Sequence, residues 1–105
     1  MTQSSYTSGG IFEGIDGFDW DEGNREKNSE KHGVDYPECE EVFFNQPLII
    51  QEDAPHSQKE RRLFALGKTN EGRKLFIAFT IRNDRVRVIS ARDQHKKERT
   101  FYEAA

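Results

Sequence analysis

Arg85-Val86-Arg87-Val88-Ile89-Ser90-Ala91-Arg92 alternates side-chain character with a period of two, the signature of a β-strand. The alternation predicts Val86, Val88 and Ser90 on one face and Arg85, Arg87, Ile89 and Ala91 on the other. Arg92 falls where the strand gives way to a basic segment running to Glu103, read as a helix. A cation at such a junction has its backbone held by the sheet and its guanidinium free to grip a phosphate by paired hydrogen bonds. The stretch therefore reads as one wall of an anion-binding cleft. The plainer alternative is that Arg85 and Arg87 are solvated residues on a sheet face.

Two further strand-like runs precede it, Arg62 to Gly67 and Lys74 to Ile81. The intervening segments, Lys68 to Arg73 with Asn70 and Gly72, and the short Arg82-Asn83-Asp84, are of hairpin length, so the three runs predict an antiparallel meander. Lys74 to Ile81 is apolar on both faces, as a central covered strand would be. Leu48-Ile49-Ile50 adds a fourth strand. Upstream, Asp21 caps a very polar helix running to about His32, with Gly33 beyond its end. Asp35-Tyr36-Pro37-Glu38 opens a second helix that buries Tyr36, Cys39 and Phe43. Ile11-Phe12 and Phe18-Asp19-Trp20 read as an initial strand broken by a turn, with Trp20 as a core anchor. A basic tail helix begins after Asp93 as cap, with Phe101 as its apolar contact. The stripe Asn24, Lys27, Asn28, Lys31 of the first helix has no aliphatic residue, so that helix is expected over a sheet edge with one face available for function. The fold class is α+β: an antiparallel sheet of at least four strands with helices packed on it, burying Phe64, Leu66, Leu75, Ile77, Phe79, Val86 and Val88.

At 105 residues the chain holds one domain, expected over 16–105 behind a flexible tail over 1–15. A charged fraction of 33% and an apolar fraction of 33% leave room for a single modest core. The lone Cys39 excludes an internal disulfide and sits within a helix stripe, which favours a buried thiol over a nucleophile. No apolar run has the length of a membrane span and no secretory leader is recognisable, so a cytoplasmic protein is expected. Charge is asymmetric: 13 acidic and 3 basic side chains up to Pro55, against 6 and 13 from His56 onward. Either the basic half binds a polyanion or the two halves neutralise each other in the fold.

Four blocks in register resemble the BrnT family of type II toxin–antitoxin ribonuclease toxins. They are Phe18-Asp19-Trp20-Asp21, then Asn28 with Lys31-His32-Gly33-Val34, then Arg62 through Leu66-Gly67. The last runs from Thr80 through Arg82, Arg85, Arg87 and Ile89-Ser90-Ala91-Arg92 to Glu98-Arg99 and Tyr102. The chain departs from the pattern at Asn24, where a basic residue is frequent, and at Ser29, where an aliphatic is usual. The resemblance implies a RelE-like sheet, RNA cleavage that arrests translation, and neutralisation by a BrnA-like antitoxin. That antitoxin would dimerise through a ribbon-helix-helix part and carry two toxins in a 2:2 complex, and DNA would be bound only through it.

Cleaving RNA without a metal needs a base for the 2′-OH proton, an acid for the leaving 5′-oxygen and cations for the charge on pentavalent phosphorus. The proton-transfer candidates are His32, His56 and Tyr102, with His95 also available. Arg62, Arg82 and Arg92 stand at strand ends as phosphate ligands, while Lys27, Lys31, Arg85, Arg87, Lys96 and Arg99 are the expected RNA contacts. His32, at a helix C-terminus, suits a cationic acid or phosphate ligand better than a base. The scattered histidines and cysteine show no metal-ligand spacing, so neither metal nor other cofactor is expected. The competing class is a non-catalytic RNA- or protein-binding module on the same fold.

Overall fold

The computed structural model of the protein describes residues 14–105. In chain order it contains α1 (Glu22–His32), α2 (Tyr36–Val42), β1 (Ile49–Glu52), a 3-10 turn (Ala54–His56), β2 (Leu63–Lys68), β3 (Lys74–Arg82), β4 (Arg85–Asp93) and α3 (Lys96–Glu103). The strands form one antiparallel sheet in the order β1-β2-β3-β4, the expected α+β meander. Asn83 and Asp84 take left-handed φ values of 52° and 62°, which close the β3–β4 hairpin with a twist matched to its strands. Of the proposed opening strand, Ile11-Phe12 lies outside the described residues. Phe18 makes only an isolated parallel bridge to Val86.

The core lies between one sheet face and the α1–α2 layer. Val34, Cys39 and Val42 pack there against Leu63, Ala65, Leu75, Ile77, Phe79, Val86, Val88 and Ala91. Burial pushes the Cys39 thiol up to about 12, so it stays protonated and inert, as its helix position suggested. Gly67 is where β2 touches α2: a Cβ there would meet Val42 Cγ1 at 2.5 Å and the Val42 carbonyl at 3.3 Å. Because one contact is backbone, Gly67→Ala is expected to cost about 1–3 kcal/mol by overpacking, measured as a lower denaturant midpoint at unchanged slope.

One expectation fails inside β4. Ala78 pairs with Ser90 but Phe79 pairs with Val88, so Ile89 is an extra, unmatched residue. This β-bulge inverts the alternation beyond it. Ala91 joins Val86 and Val88 in the core, while Ser90 and Arg92 turn to the opposite face. On that opposite face Phe64 is only half-buried, its ring stacked on Phe76 with centroids 5.3 Å apart.

The helices follow their caps with local corrections. Asp21 accepts from the Asn24 amide and Gly33 ends α1 at φ 65°, as expected. In α2, Cys39 and Val42 are buried but Tyr36 is 39% exposed, its ring lying beside Trp20 and under the Arg25 guanidinium. Asp93 ends β4 rather than capping α3; His95 takes that place, its amide donating to Glu98 Oε1 at 2.7 Å. Tyr102, not Phe101, anchors α3: it is 3% exposed and donates to the Pro47 carbonyl at 2.6 Å, whereas Phe101 is 55% exposed.

Candidate active site on the open sheet face

Opposite the core, the sheet presents rows that the register defines. Leu66, Phe76 and Arg92 form one, Phe64, Ala78 and Ser90 the next, and Arg82 and Arg85 the last. Between these last two, Thr80 pairs with Arg87, and Arg62 enters β2 alongside Thr80. One end is closed by α3. There Arg92 lies 4.1 Å above the Phe76 ring and holds Glu98 by two hydrogen bonds of 2.9 and 3.0 Å. Arg92 keeps the Glu98 carboxyl below its usual range, and Arg73 does the same for Asp93. A carboxylate whose folded pKa is depressed contributes stability that is complete above its ordinary pKa of about 4 and lost as pH falls through the lowered folded value. The melting temperature is therefore expected to hold from neutrality down to about pH 4 and to fall below it. Glu98→Gln should flatten part of that fall.

The other end is built by the segment from Asp53 to Arg62, tied into a closed ring. The Asp53 amide donates to the Arg62 carbonyl (2.8 Å), the Arg62 amide donates to Ser57 Oγ (3.0 Å), and Ser57 Oγ donates to the Asp53 carbonyl (2.7 Å). Thr80 Oγ1 donates to the Arg61 carbonyl at 2.5 Å and anchors the ring to the sheet. On the 3-10 turn, His56 Nδ1 sits 3.0 Å from both carboxylate oxygens of Asp53. A cavity of about 330 Å³ opens beside it, lined among others by His56, Lys59, Arg61, Arg62, Thr80 and the bulged Ile89. The Arg62 Nε–H is buried with no partner among the described residues. A buried guanidinium donor left unpaired is costly to the folded state.

The remaining candidates are placed differently. Arg82 is paired with Glu60 (2.8 and 3.1 Å), which lowers the Glu60 carboxyl, and Arg87 with Asp21 (2.9 Å) and Asp19 (3.4 Å). Arg85 faces Asp16 at 3.4 Å. The Arg87 and Arg85 pairs, with Arg61–Glu52 and Arg73–Glu38, join the basic half to the acidic half, so the fold neutralises part of the charge asymmetry, whereas Arg82–Glu60 lies within the basic half. His32 lies at the end of α1 near Asp93, on the far side of the site. Asp93 pairs with Leu75, and from Leu75 to Thr80 is five residues of β3, about 16 Å of backbone. The structure thus brings His56 and Arg62 together and sets His32 and Lys31 apart from them. On α3, Arg99 Nη1 donates to the Gln94 carbonyl (2.7 Å), Lys96 is exposed, and burial raises the Tyr102 phenol.

The polar stripe of α1 is only partly available: its asparagines are buried against the sheet, while Lys27 and Lys31 stay exposed. Asn24 Nδ2 donates to the Val88 carbonyl (3.3 Å), Lys27 Nζ to the Ile89 carbonyl (3.1 Å), and Asn28 Oδ1 accepts from the Ala91 amide (3.0 Å). The helix does lie over an edge, that of β4, and its stripe satisfies the strand's backbone. Two residues with no part in the sequence expectations prove central. Asp53 was detectable as a carboxylate three residues before a histidine across Pro55. Arg73 bonds the carbonyls of Gly33 (2.9 Å) and His32 (3.4 Å) together with Glu38 and Asp93, and no local signal announces it.

Among the described residues no helix is long and apolar enough to cross a membrane. The family described as "Ribonuclease toxin, BrnT, of type II toxin-antitoxin system" matches residues 20–98. The 1.1 Å crystal structure of the Brucella abortus ribonuclease toxin BrnT resembles this fold with a TM-score of 0.57 at 25% identity, covering 76% of this chain and 97% of that one. No curated protein matches the chain.

Proposed function

The chain belongs to the BrnT family of ribonuclease toxins of type II toxin–antitoxin systems, and from that premise we propose that it cleaves RNA without a metal ion, at the Arg62–His56 end of the open sheet face. The observation that carries this reading is the cavity that His56, paired with Asp53, shares with Arg62 and Lys59. Arg62, which lines that cavity, serves as the phosphate ligand through its guanidinium. With phosphate held there, His56 takes the proton of the 2′-OH, the 2′-oxygen attacks phosphorus, and the bond to the 5′-oxygen breaks. Solvent in the open cleft supplies the proton that the departing 5′-oxygen needs.

The neighbouring nucleotides continue along the same face. Phe76 lies four residues from Thr80 on β3, about 13 Å along the strand, so the Phe64–Phe76 pair with Arg92 is in reach of an adjoining base. Arg82, Arg85 and Arg87 flank the scissile position. Lys27, Lys31 and His32 on α1, and Lys96 and Arg99 on α3, contact more distant phosphates. Tyr102 fixes α3 and transfers no proton. Cleavage of messenger or ribosomal RNA by this site arrests translation.

As a type II toxin the protein has an antitoxin partner. We assign that role to a BrnA-like ribbon-helix-helix protein in a 2:2 complex, which carries any DNA contact. Its toxin-contacting segment is acidic and amphipathic. Because Arg87 is already paired with Asp19 and Asp21, the exposed cations of α3 give the cleaner test. Lys96→Glu with Arg99→Glu should weaken antitoxin binding by about tenfold or more in calorimetry, and unchanged affinity would remove the electrostatic contribution.

The function itself is tested with the purified full chain and an end-labelled RNA of defined sequence, with and without chelator. Chelator-resistant cleavage leaving a 2′,3′-cyclic phosphate or its opened product is expected. Loss of cleavage with chelator would overturn the metal-free mechanism, and RNA binding with no cleavage would place the chain in the non-catalytic class.

A further inference from the structure

We propose that Asp53 is the positioning residue of the site. It holds His56 in the tautomer that carries its proton on Nδ1, and the Ser57 hydroxyl locks this pair in register with Arg62. The inference rests on the reading that His56 takes the 2′-OH proton. Both carboxylate oxygens of Asp53 lie 3.0 Å from Nδ1, so in the neutral ring the favoured tautomer carries its proton on Nδ1 and leaves Nε2 to accept. An exposed Asp–His pair by itself would mean little. This one is held by backbone geometry: the His56 amide bonds the Asp53 carbonyl and the Ser57 amide bonds the Ala54 carbonyl, both at 3.1 Å, around Pro55 with its fixed φ. Asp53 is the less exposed partner, its side chain 22% accessible against 64% for His56.

Ser57 extends the argument to the phosphate ligand. Its single hydroxyl donates to the Asp53 carbonyl and accepts from the Arg62 amide, so the residue orienting the base and the residue holding the phosphate meet at one oxygen. The Asp53 amide closes the ring on the Arg62 carbonyl. The main chains that carry His56 and Arg62 are thereby fixed relative to each other before RNA arrives, which is what positioning contributes to a rate.

In the step itself the 2′-OH proton passes to Nε2, a bond forms between the 2′-oxygen and phosphorus, and the phosphorus–5′-oxygen bond breaks. The imidazolium formed is stabilised by the Asp53 carboxylate and returns its proton to solvent, while solvent protonates the 5′-oxygen. No oxidant or further reactant is involved.

The test uses the full chain, Asp53→Asn, Asp53→Glu, Ser57→Ala and His56→Ala, with a mixed-sequence single-stranded RNA 20-mer as substrate. Asp53→Asn presents an amide that favours the opposite tautomer, so kcat should fall about 100-fold while KM stays within about twofold. Asp53→Glu should recover part of the loss, and Ser57→Ala should lower kcat about tenfold. Nitrogen-15 NMR of the His56 ring should show Nδ1–H in the unaltered chain and Nε2–H in Asp53→Asn. A bare Nδ1 in the unaltered chain overturns the proposal, and this holds even where a variant does not fold. Full activity of Asp53→Asn alongside an inactive His56→Ala would also overturn it while leaving His56 as the base. Full activity of His56→Ala would instead refute the reading on which the proposal rests.

Discussion

Arg62→Ala is expected to lower kcat for RNA cleavage about 100- to 1,000-fold and to leave the melting temperature unchanged or raised. The two effects come from the same guanidinium. With Nε–H buried and unpaired, the guanidinium brings a desolvation cost into the folded state and no compensating bond among the described residues. Removing it relieves that cost, whereas a structural arginine such as Arg73, with bonds to Glu38, Asp93 and two helix-terminal carbonyls, would destabilise on truncation. In the reaction Arg62 faces the charge that grows on the phosphoryl oxygens, so its loss falls on the chemical step. Arg62→Lys should recover little, because an ammonium lacks the planar, fixed array of donors. Cleavage rates at saturating RNA together with a thermal melt check both. A variant that melts lower and cleaves normally would assign Arg62 to the fold.

The second large effect concerns the edge of β4. Asn24→Ala with Asn28→Ala is expected to destabilise the protein by about 2–4 kcal/mol, since each change leaves a buried backbone group of the strand without its partner. Asn28, 3% exposed, accepts from the Ala91 amide, and Asn24, 8% exposed, donates to the Val88 carbonyl, so the pair brackets the bulged Ile89. Asn24 also closes the α1 cap by accepting from the Asp21 amide at 2.7 Å. Guanidinium unfolding of the single and double variants measures the loss. A total under about 1 kcal/mol would mean that water substitutes for both amides. The same variants should lose cleavage only in proportion to the unfolded fraction, which separates this edge from the Arg62 site.

Much of the architecture was written locally. The strand spans, the Asn83-Asp84 turn, the Asp21 cap and the Gly33 stop are decided by neighbours one to four residues away, and they appear where the residues placed them. The candidate site was legible as a set of residue types. Arg62, Arg82 and Arg92 do stand at or near strand ends, and His56 does lie in the loop before β2. Its assembly was not legible. Grouping His32 with His56 failed because the register sets them at opposite ends of the sheet, and register depends on which strands pair rather than on either strand alone. Misreading the α1 stripe as a free surface has the same origin: asparagines that look solvated in a helix are buried once a strand edge with unmet hydrogen bonds lies against them.

The sequence by itself determined the secondary elements, the meander and the inventory of cations and proton-transfer groups, because periodicity, caps and short turns act over a few bonds. Only the tertiary structure decided that Ala91 faces the core while Ser90 and Arg92 face the cleft. It alone paired Asp53 with His56, left the Arg62 Nε–H without a partner among the described residues, and tied the acidic half to the basic one. The reason is physical: a bulge, an ion pair and an unsatisfied donor are each defined by a partner distant in the chain, and no local pattern specifies that partner.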